Sequence, residues 1–510
     1  MSMAAALVAA CGNSGRDQVE TPAGLAAAST ARGTLIVSPP ARVKAFSVND
    51  VLLALNLTVD GQKLLAVAGT PTCAADIHLL HYNTVGGAGE PTTASGVLMV
   101  PTGSDPKCRG PRPIVLYAHG TTTDRAFSMA NFDIAPEGLA IAAVFAAQGY
   151  IVVAPDYAGY GLSTLAYHPY LNAEAQSKDM VDALRAARSA LPTPLAPGVT
   201  DNGKLLVTGY SQGGFVAMAT HRALQALGAP VTASAPMSGP YALAAFGDMV
   251  FNGSVAAGAP LFVTLLITGY QRAYGNLFAN TADVFSAPFA SGIESLLPST
   301  AARSSLYIDG RLPQYELFSS TPPDPQFAAV TPATSPPSMA AIFALGVGLN
   351  PLLLNSYRLG YLLDMQANPD GGLPTTTTGV VATNPIHPLR RAFKANDLRD
   401  WTPTAPTLLC AGDEDPTVFY SNTQLMQGYW AMTGPVAPVT ILDVDAPAVS
   451  GERFAALKDA FAAAKDVIAL AAVAGGATDG GQRATLEAYH SQLVPPFCLT
   501  AVRSYFDDLR

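Results

Sequence analysis

The chain has 510 residues, a length that predicts either one large domain with a big insertion or two domains. Hydrophobic residues make up 49% of it and exclude a disordered protein, whereas charged residues make up only 13%. The net charge of -9 argues against nucleic acid or an anionic membrane surface as a partner. A surface with so few charges suits an exported protein that handles apolar substrates.

The N-terminus resembles a bacterial lipoprotein signal. Residues 8–11 read Val-Ala-Ala-Cys, a lipobox pattern that predicts lipidation at Cys11. No positively charged segment precedes this pattern, so an ordinary secretory signal and a disordered leader are the alternatives. The polar residues up to position 31 are interpreted as a linker. We therefore expect an exported protein that is secreted, periplasmic or held at the outer membrane by a lipid.

The first predicted elements after the linker are two strands that form a hairpin, at residues 75–82 and 93–101. Cys73 and Cys108 lie in loops on either side of this hairpin, so we predict a disulfide between them, which an exported protein can keep. Cys410 lies inside an apolar strand and is interpreted as a buried thiol. Pairing of Cys410 with Cys498 is the alternative.

Short apolar strands then alternate with helical patterns up to about residue 239. The predicted strands lie at residues 113–118, 150–154, 204–209 and 231–236, and the predicted helices lie at 136–148 and 170–191 and from the 209–213 turn to 227. Alternation of this kind predicts a parallel sheet with right-handed crossovers. The fold class predicted from the sequence is therefore α/β, with a mostly parallel sheet flanked by helices.

The alternation stops in residues 241–400, which are rich in helical patterns and broken by clusters of Pro, Thr and Ser. We interpret this block as a cap folded over the C-terminal edge of the sheet, where ligands bind in such folds. A separate domain is the alternative. The predicted organisation is a leader and linker (1–31), a first part of the α/β core (32–240), the cap (241–400) and a second part of the core (401–510).

Residues 209–213 have the G-x-S-x-G pattern of a nucleophile elbow, at a predicted strand-to-helix turn. The glycines are needed because side chains beside the serine would collide with the neighbouring strand and helix. The dipole of the following helix favours negative charge near Ser211. The pattern alone is weak, since a plain glycine turn also matches it, and its context decides in favour of Ser211 as the nucleophile.

A nucleophilic serine needs a base, and the base needs an acid that fixes its tautomer. His490 is the predicted base, because it follows both the serine and the acid in the chain order of this elbow type. His387, at the exit of the cap, is the alternative. Asp415 is the predicted acid because it follows the apolar strand at 407–411, and Asp413 and Glu414 are the alternatives.

Two backbone N–H groups are predicted to form the oxyanion hole. One belongs to Gln212, the residue after the nucleophile, and the other to Thr121, in the loop that begins at His119. Donors of this kind contribute roughly 3 kcal/mol each to the transition state. The sequence has no phosphate-binding loop and no paired Cys/His spacing typical of zinc, so we expect neither a metal nor an organic cofactor.

Five motifs carry a resemblance to a known family, at residues 113–122, 155–161, 209–214 and 412–418 and at His490. Together they resemble the α/β-hydrolases, in particular secreted bacterial esterases and lipases related to the secretory lipase family. The resemblance covers roughly residues 70–240 and 385–510. It implies a serine carboxylic-ester hydrolase with an acyl-enzyme intermediate and no cofactor. Its partner would be an apolar or bulky ester, such as a lipid or a polyester.

Two other functions are considered. A serine peptidase of the same fold would need acidic residues for a peptide amine, and the cap has few charges, which favours esters. A non-catalytic binding protein of this fold would be expected to lack the serine, the base or the acid, whereas candidates for all three are present.

Overall fold

A sheet of nine strands forms the centre of the computed structural model, which describes residues 32–56, 62, 65, 69–191, 198–370 and 380–510. The predicted lipidation site Cys11 and the predicted linker lie outside the described residues. The strands in chain order are β1 (Ala41–Phe46), β2 (Ala74–Val85), β3 (Pro91–Thr102), β4 (Gly110–Ala118), β5 (Ile151–Pro155), β6 (Val199–Tyr210), β7 (Ala233–Met237), β8 (Phe318–Ser319), β9 (Val347–Gly348), β10 (Thr407–Ala411) and β11 (Val439–Asp443).

The order across the sheet is β1-β2-β3-β5-β4-β6-β7-β10-β11, and β8 pairs with β9 apart from it. The first three strands and β5 pair antiparallel. The remaining part of the sheet, β5-β4-β6-β7-β10-β11 in spatial order, pairs parallel. Every residue of β5 and β10 is buried, as expected for apolar parallel strands covered on both faces. The predicted α/β class with a mostly parallel sheet is confirmed.

The described helices accompany this sheet in chain order. They are α1 (Val48–Asn56), α2 (Pro136–Val144), α3 (Ala173–Ala190), α4 (Gln212–Ala226), α5 (Leu243–Phe251), α6 (Ala259–Tyr274), α7 (Ala287–Ala290), α8 (Arg303–Ile308), α9 (Ala340–Leu345), α10 (Asn355–Ala367), α11 (Pro388–Asn396), α12 (Ser421–Thr433), α13 (Ala455–Ala474), α14 (Gln482–Ala488) and α15 (Val494–Asp507). A π-helical turn, Tyr489–Leu493, joins α14 to α15. The helix predicted from residue 170 begins later because Asn172 caps it, accepting a hydrogen bond from the Ala175 N–H.

Between β7 and β10 the chain leaves the sheet and forms α5 to α11, in keeping with the helical patterns of this block. A buried arginine joins three of these helices. The Arg390 guanidinium on α11 donates to both carboxylate oxygens of Asp248 on α5, at 2.9 and 2.7 Å, and to Asp364 on α10 at 3.1 Å. All three side chains are almost fully buried. Because an unpaired buried charge is costly, each partner requires the others.

Two disulfides are present among the described residues. Cys73 and Cys108 are joined, as predicted, across the two ends of the β2–β3 hairpin. Cys410 and Cys498 are joined as well, so the interpretation of Cys410 as a free buried thiol is wrong. The reason is tertiary: α15 packs against β10 and brings Cys498 to a strand that lies 88 residues earlier in the sequence.

Replacing Cys410 and Cys498 by alanine should lower the midpoint of thermal unfolding more than replacing Cys73 and Cys108. The first pair closes a sequence separation of 88 and the second one of 35. In the loop-entropy model these closures are worth about 4.6 and about 3.8 kcal/mol, because the longer loop restricts the unfolded chain more. Circular dichroism of the two double variants in oxidising buffer measures the order, and a smaller loss for the Cys410–Cys498 pair would contradict it.

Candidate active site

Ser211 lies at the sharp turn between β6 and α4. Its backbone has φ 60° and ψ -122°, a region that non-glycine residues rarely adopt and that costs of order 1–3 kcal/mol. The turn fits because its neighbours have no side chain. A Cβ on Gly213 would lie 1.9 Å from the carbonyl oxygen of Ala118 on β4, and one on Gly209 would lie 2.4 Å from the carbonyl oxygen of Gly213. The two glycines therefore permit the close approach that holds the serine in its strained conformation.

The predicted base lies beside this serine. His490 belongs to the π-helical turn before α15, and its Nε2 is 2.8 Å from Ser211 Oγ. Its Nδ1 is 2.6 Å from Asp415 Oδ2. In the neutral tautomer that satisfies both bonds, Nδ1–H donates to the carboxylate, which leaves Nε2 free to accept the serine proton.

Asp415 lies in the loop that follows β10 and is buried. Its second carboxylate oxygen accepts hydrogen bonds from the N–H groups of Thr417 and Val418, at 2.9 and 3.0 Å. These bonds fix the direction of the other oxygen towards His490. Glu414, an alternative acid, instead pairs with Lys465 at 2.9 Å. Asp413, the other alternative, is exposed.

The alternative base lies in a different environment. The imidazole of His387 packs against the rings of Tyr357 and Tyr361, at centroid distances of 4.9 and 5.2 Å, and the backbone N–H of His387 donates to the Asp364 carboxylate. Burial lowers the pKa of His387 to about 4. The structure therefore brings His490, and not His387, into hydrogen-bond distance of Ser211.

A further histidine contacts the residue that follows Ser211. His168 is buried, and its Nε2 accepts a hydrogen bond from the side-chain amide of Gln212 at 2.7 Å. Its Nδ1 therefore carries the proton and donates to the carbonyl of Ala158 at 2.9 Å. Burial lowers the pKa of His168 to about 3, so the ring is neutral in the range where proteins work. No sequence pattern pointed to this contact.

A half-buried carboxyl group contacts the predicted oxyanion loop. Glu137, at the start of α2, accepts hydrogen bonds from the Tyr117 hydroxyl at 2.7 Å and from the Gly120 N–H at 3.2 Å. Burial raises the pKa of Glu137. Gly120 directly precedes Thr121, whose hydroxyl lies 2.9 Å from that of Tyr170. The loop is thus held at both residues, and sequence reasoning missed the contribution of Glu137.

Gln212 is the first residue of α4. Its N–H is therefore one of the four at the start of a helix that have no acceptor within the helix. Thr121 and Ser211 lie on the wall of the same cavity. The role of Thr121 and Gln212 as oxyanion donors remains a prediction.

The cavity over Ser211 and His490 has a volume of about 790 Å³, within the usual range for small-molecule sites. Most of its wall is apolar or aromatic, including Leu55, Phe132, Leu139, Phe262, Pro496 and Leu499. Charged residues on the wall are Glu137, Arg303 and Glu487. Phe262 and Arg303 belong to the 241–400 block, whereas Leu55 belongs to α1, a helix that the sequence analysis did not predict.

Within the described residues, no group of three or more His, Cys, Asp and Glu side chains is arranged to hold a metal ion. The helices of the same residues include none with the length and apolar character needed to span a bilayer.

The chain is similar to known hydrolases. Residues 139–252, a minority of the chain that includes Ser211 but not Asp415 or His490, match the prolyl oligopeptidase family. None of the curated protein sequences is a match. The rice cell wall degrading esterase LipA from Xanthomonas oryzae has a similar crystal structure over 94% of this chain and 100% of its own, at 26% identity and a TM-score of 0.67.

A candidate hydrolase from Legionella pneumophila is similar over 92% of this chain and 96% of its own, with a TM-score of 0.60. At 18% identity it supports the fold alone. These similarities and the strand order give the chain the α/β-hydrolase fold.

Replacing His168 by glutamine should make the protein less sensitive to acid. In the wild type the folded-state pKa of His168, about 3, lies well below the ordinary histidine value of 6.5. The unfolded chain therefore takes up a proton before the folded one, and stability is lost as the pH falls from about 6.5 towards 3. Glutamine keeps an acceptor for Gln212 but does not titrate.

Thermal unfolding midpoints of the wild type and His168→Gln at pH 7.5 and pH 4.5 measure this difference. Between pH 7.5 and pH 4.5 the unfolding midpoint of the variant should fall by less than that of the wild type. Equal losses would contradict the assignment of a buried neutral imidazole at this position.

Proposed function

We propose that this chain, a hydrolase of the α/β-hydrolase type, is a serine carboxylic-ester hydrolase. The observation that carries the proposal is a chain of two hydrogen bonds. His490 Nε2 lies 2.8 Å from Ser211 Oγ, and His490 Nδ1 lies 2.6 Å from Asp415 Oδ2. The serine lies on a cavity, whereas the carboxylate is buried. This arrangement lets the imidazole remove the serine proton, while the carboxylate keeps the imidazole in one tautomer.

The proposed reaction has two halves. Ser211 Oγ attacks the ester carbonyl carbon as His490 Nε2 takes its proton, and the N–H groups of Gln212 and Thr121 stabilise the oxyanion that forms. His490 then returns the proton to the leaving alcohol, and an acyl-enzyme remains on Ser211. In the second half His490 activates a water that hydrolyses the acyl group. Asp415 stays hydrogen-bonded to His490 Nδ1 throughout.

The cavity supports an apolar or bulky ester as the substrate. Its wall is mostly aliphatic and aromatic, and burying such surface on an acyl chain or on an aromatic or polymeric alcohol is favourable by about 25 cal/mol per Å². The similarity to an esterase over nearly the whole chain supports ester chemistry as well. Lipids and polyesters remain within this proposal.

A serine peptidase is the second candidate, because residues 139–252 match the prolyl oligopeptidase family. Binding a peptide amine would need an available carboxylate near Ser211. Of the two glutamates on the cavity wall, Glu137 accepts hydrogen bonds from Tyr117 and Gly120, and Glu487 pairs with Arg483 at 2.8 Å. Their existing partners favour the ester.

The wild type should hydrolyse nitrophenyl esters well and the corresponding peptide nitroanilides poorly. Ser211→Ala should lower ester kcat roughly 10³-fold or more, because the nucleophile is removed. Steady-state kinetics on both substrate series provide the measurement. Amide turnover well above ester turnover would favour the peptidase, and full ester hydrolysis by Ser211→Ala would refute the proposed nucleophile.

His490→Ala and His387→Ala form the matched pair for the base. His490→Ala should lose ester kcat to a similar extent as Ser211→Ala, since residues that act as a unit give similar losses. His387→Ala removes a histidine from the 241–400 block and should keep most of the activity. A larger loss of kcat in His387→Ala than in His490→Ala would assign the role of base to His387.

Export is proposed on the two disulfides, which persist in oxidising compartments. Lipidation at Cys11 is the finer form of this proposal. In a bacterial host with lipoprotein processing, the full chain should fractionate with membranes and Cys11→Ser should move to the soluble periplasmic or secreted fraction. An equal distribution of the two chains, measured by immunoblot, would leave export without a lipid anchor.

A further inference from the structure

The side chain of Tyr210 connects the nucleophile to the base directly. Tyr210 is the last residue of β6 and immediately precedes Ser211. Its hydroxyl donates a hydrogen bond to the backbone carbonyl of His490 at 2.6 Å. The same hydroxyl lies 3.4 Å from His490 Nδ1, and the two rings are 5.1 Å apart between centroids. One side chain therefore contacts both the backbone and the ring of His490.

The backbone around His490 is irregular, which gives this contact its importance. The N–H of Val494 donates to the carbonyl of Tyr489, five residues earlier, so the helix is locally a π-helix. Such turns are rare and expose backbone groups that the α-helical pattern would pair differently. The Tyr210 hydroxyl supplies a donor to the carbonyl of His490 at this point.

The helix that leads towards His490 is only partly packed on the core. After β11 the longest element is α13, in which Phe461 is the one buried residue among those described. Val467 and Leu470 on this helix are 64% and 68% exposed. Phe461 packs against Tyr489 at 5.7 Å between ring centroids, so α13 restrains the turn at one end. The contacts of His490 itself set the direction of its ring.

We propose that Tyr210 is a positioning residue that sets the His490 imidazole relative to Ser211 Oγ. The inference rests on the proposed function, because it assigns Tyr210 a role through the base rather than on the substrate. Proton transfer from serine to imidazole depends steeply on the distance and direction between the two atoms, so a small displacement of the ring costs activity. Burial raises the pKa of the Tyr210 hydroxyl well above its usual range, so it remains a donor at working pH.

Tyr210→Phe tests this role, because it keeps the ring and removes the hydroxyl. We expect kcat for a nitrophenyl ester to fall about 10-fold, with KM within about twofold of the wild type. The rate constant for covalent labelling of Ser211 by a fluorophosphonate should fall by a similar factor, since that step also needs the base. The midpoint of thermal unfolding should fall slightly, since a hydrogen bond to the His490 carbonyl is lost, and by no more than in the control below.

Tyr489→Phe is the matched control. This tyrosine directly precedes His490 in the sequence. Its hydroxyl donates a hydrogen bond to Asp445 at 2.6 Å and accepts one from the Glu414 N–H at 3.2 Å. Its hydroxyl therefore bonds to the Asp445 carboxylate and to the backbone of Glu414, and not to His490. Tyr489→Phe should lower the unfolding midpoint and keep kcat within about threefold of the wild type.

The outcomes separate the two proposals. If the wild type hydrolyses esters and Tyr210→Phe keeps its kcat within about twofold, the positioning role is overturned while the esterase proposal stands. If Tyr489→Phe loses as much kcat as Tyr210→Phe, the loss is a general one and the role is also overturned. A wild type without ester hydrolysis overturns the proposed function itself, and the fluorophosphonate labelling then still reports whether His490 activates Ser211.

Discussion

The strained turn at Ser211 is the constraint on which the rest of the site depends. The backbone conformation of this residue is unfavourable by itself, and the surrounding structure must hold it. The Ser211 N–H donates to the carbonyl of Met237 on β7 at 3.0 Å, and a Cβ on Gly214 would lie 2.3 Å from that same carbonyl oxygen. On the other side, Gly213 lies against β4. The elbow is thus fixed by two neighbouring strands of the sheet, which is possible because β6 lies between them.

Two buried histidines near this turn differ from His490 in their surroundings. His168 and His119 are buried without a carboxylate beside the ring, and desolvation lowers their pKa values to about 3 and about 4. Both rings therefore serve as neutral hydrogen-bonding groups. His490 differs from them because a carboxylate, Asp415, lies 2.6 Å from its Nδ1. Of these three histidines, only His490 is placed to stabilise a positive charge on its ring when a proton arrives.

Local sequence patterns were sufficient to predict strands with a clear apolar run and the candidate residues of the site. The apolar run at 407–411 became β10 with the predicted bounds, and chain order led to Ser211, Asp415 and His490, which the structure brings together. In contrast, β1 is mostly exposed, with a burial pattern that carries no alternation, and it was missed. Contacts between distant segments were missed for a different reason.

The Cys410–Cys498 bond, the Glu137–Gly120 contact and the support of Gln212 by His168 join residues whose separation in sequence leaves no periodic signal. Composition and periodicity record what a segment buries but not which other segment it is buried against. The substrate-facing wall has the same property, since it combines α1, α2, α15 and the 241–400 block.

The exposed face of α13 has a consequence for engineering this chain. Val467 and Leu470 on this face impose few packing requirements, whereas Phe461 packs against Tyr489 and Lys465 pairs with Glu414. The disulfide at Cys498 and the hydroxyl of Tyr210 define where the chain must return. Substitutions on the exposed face of α13, which contributes no residue to the described cavity wall, are therefore expected to be tolerated, and a binding module can be attached there.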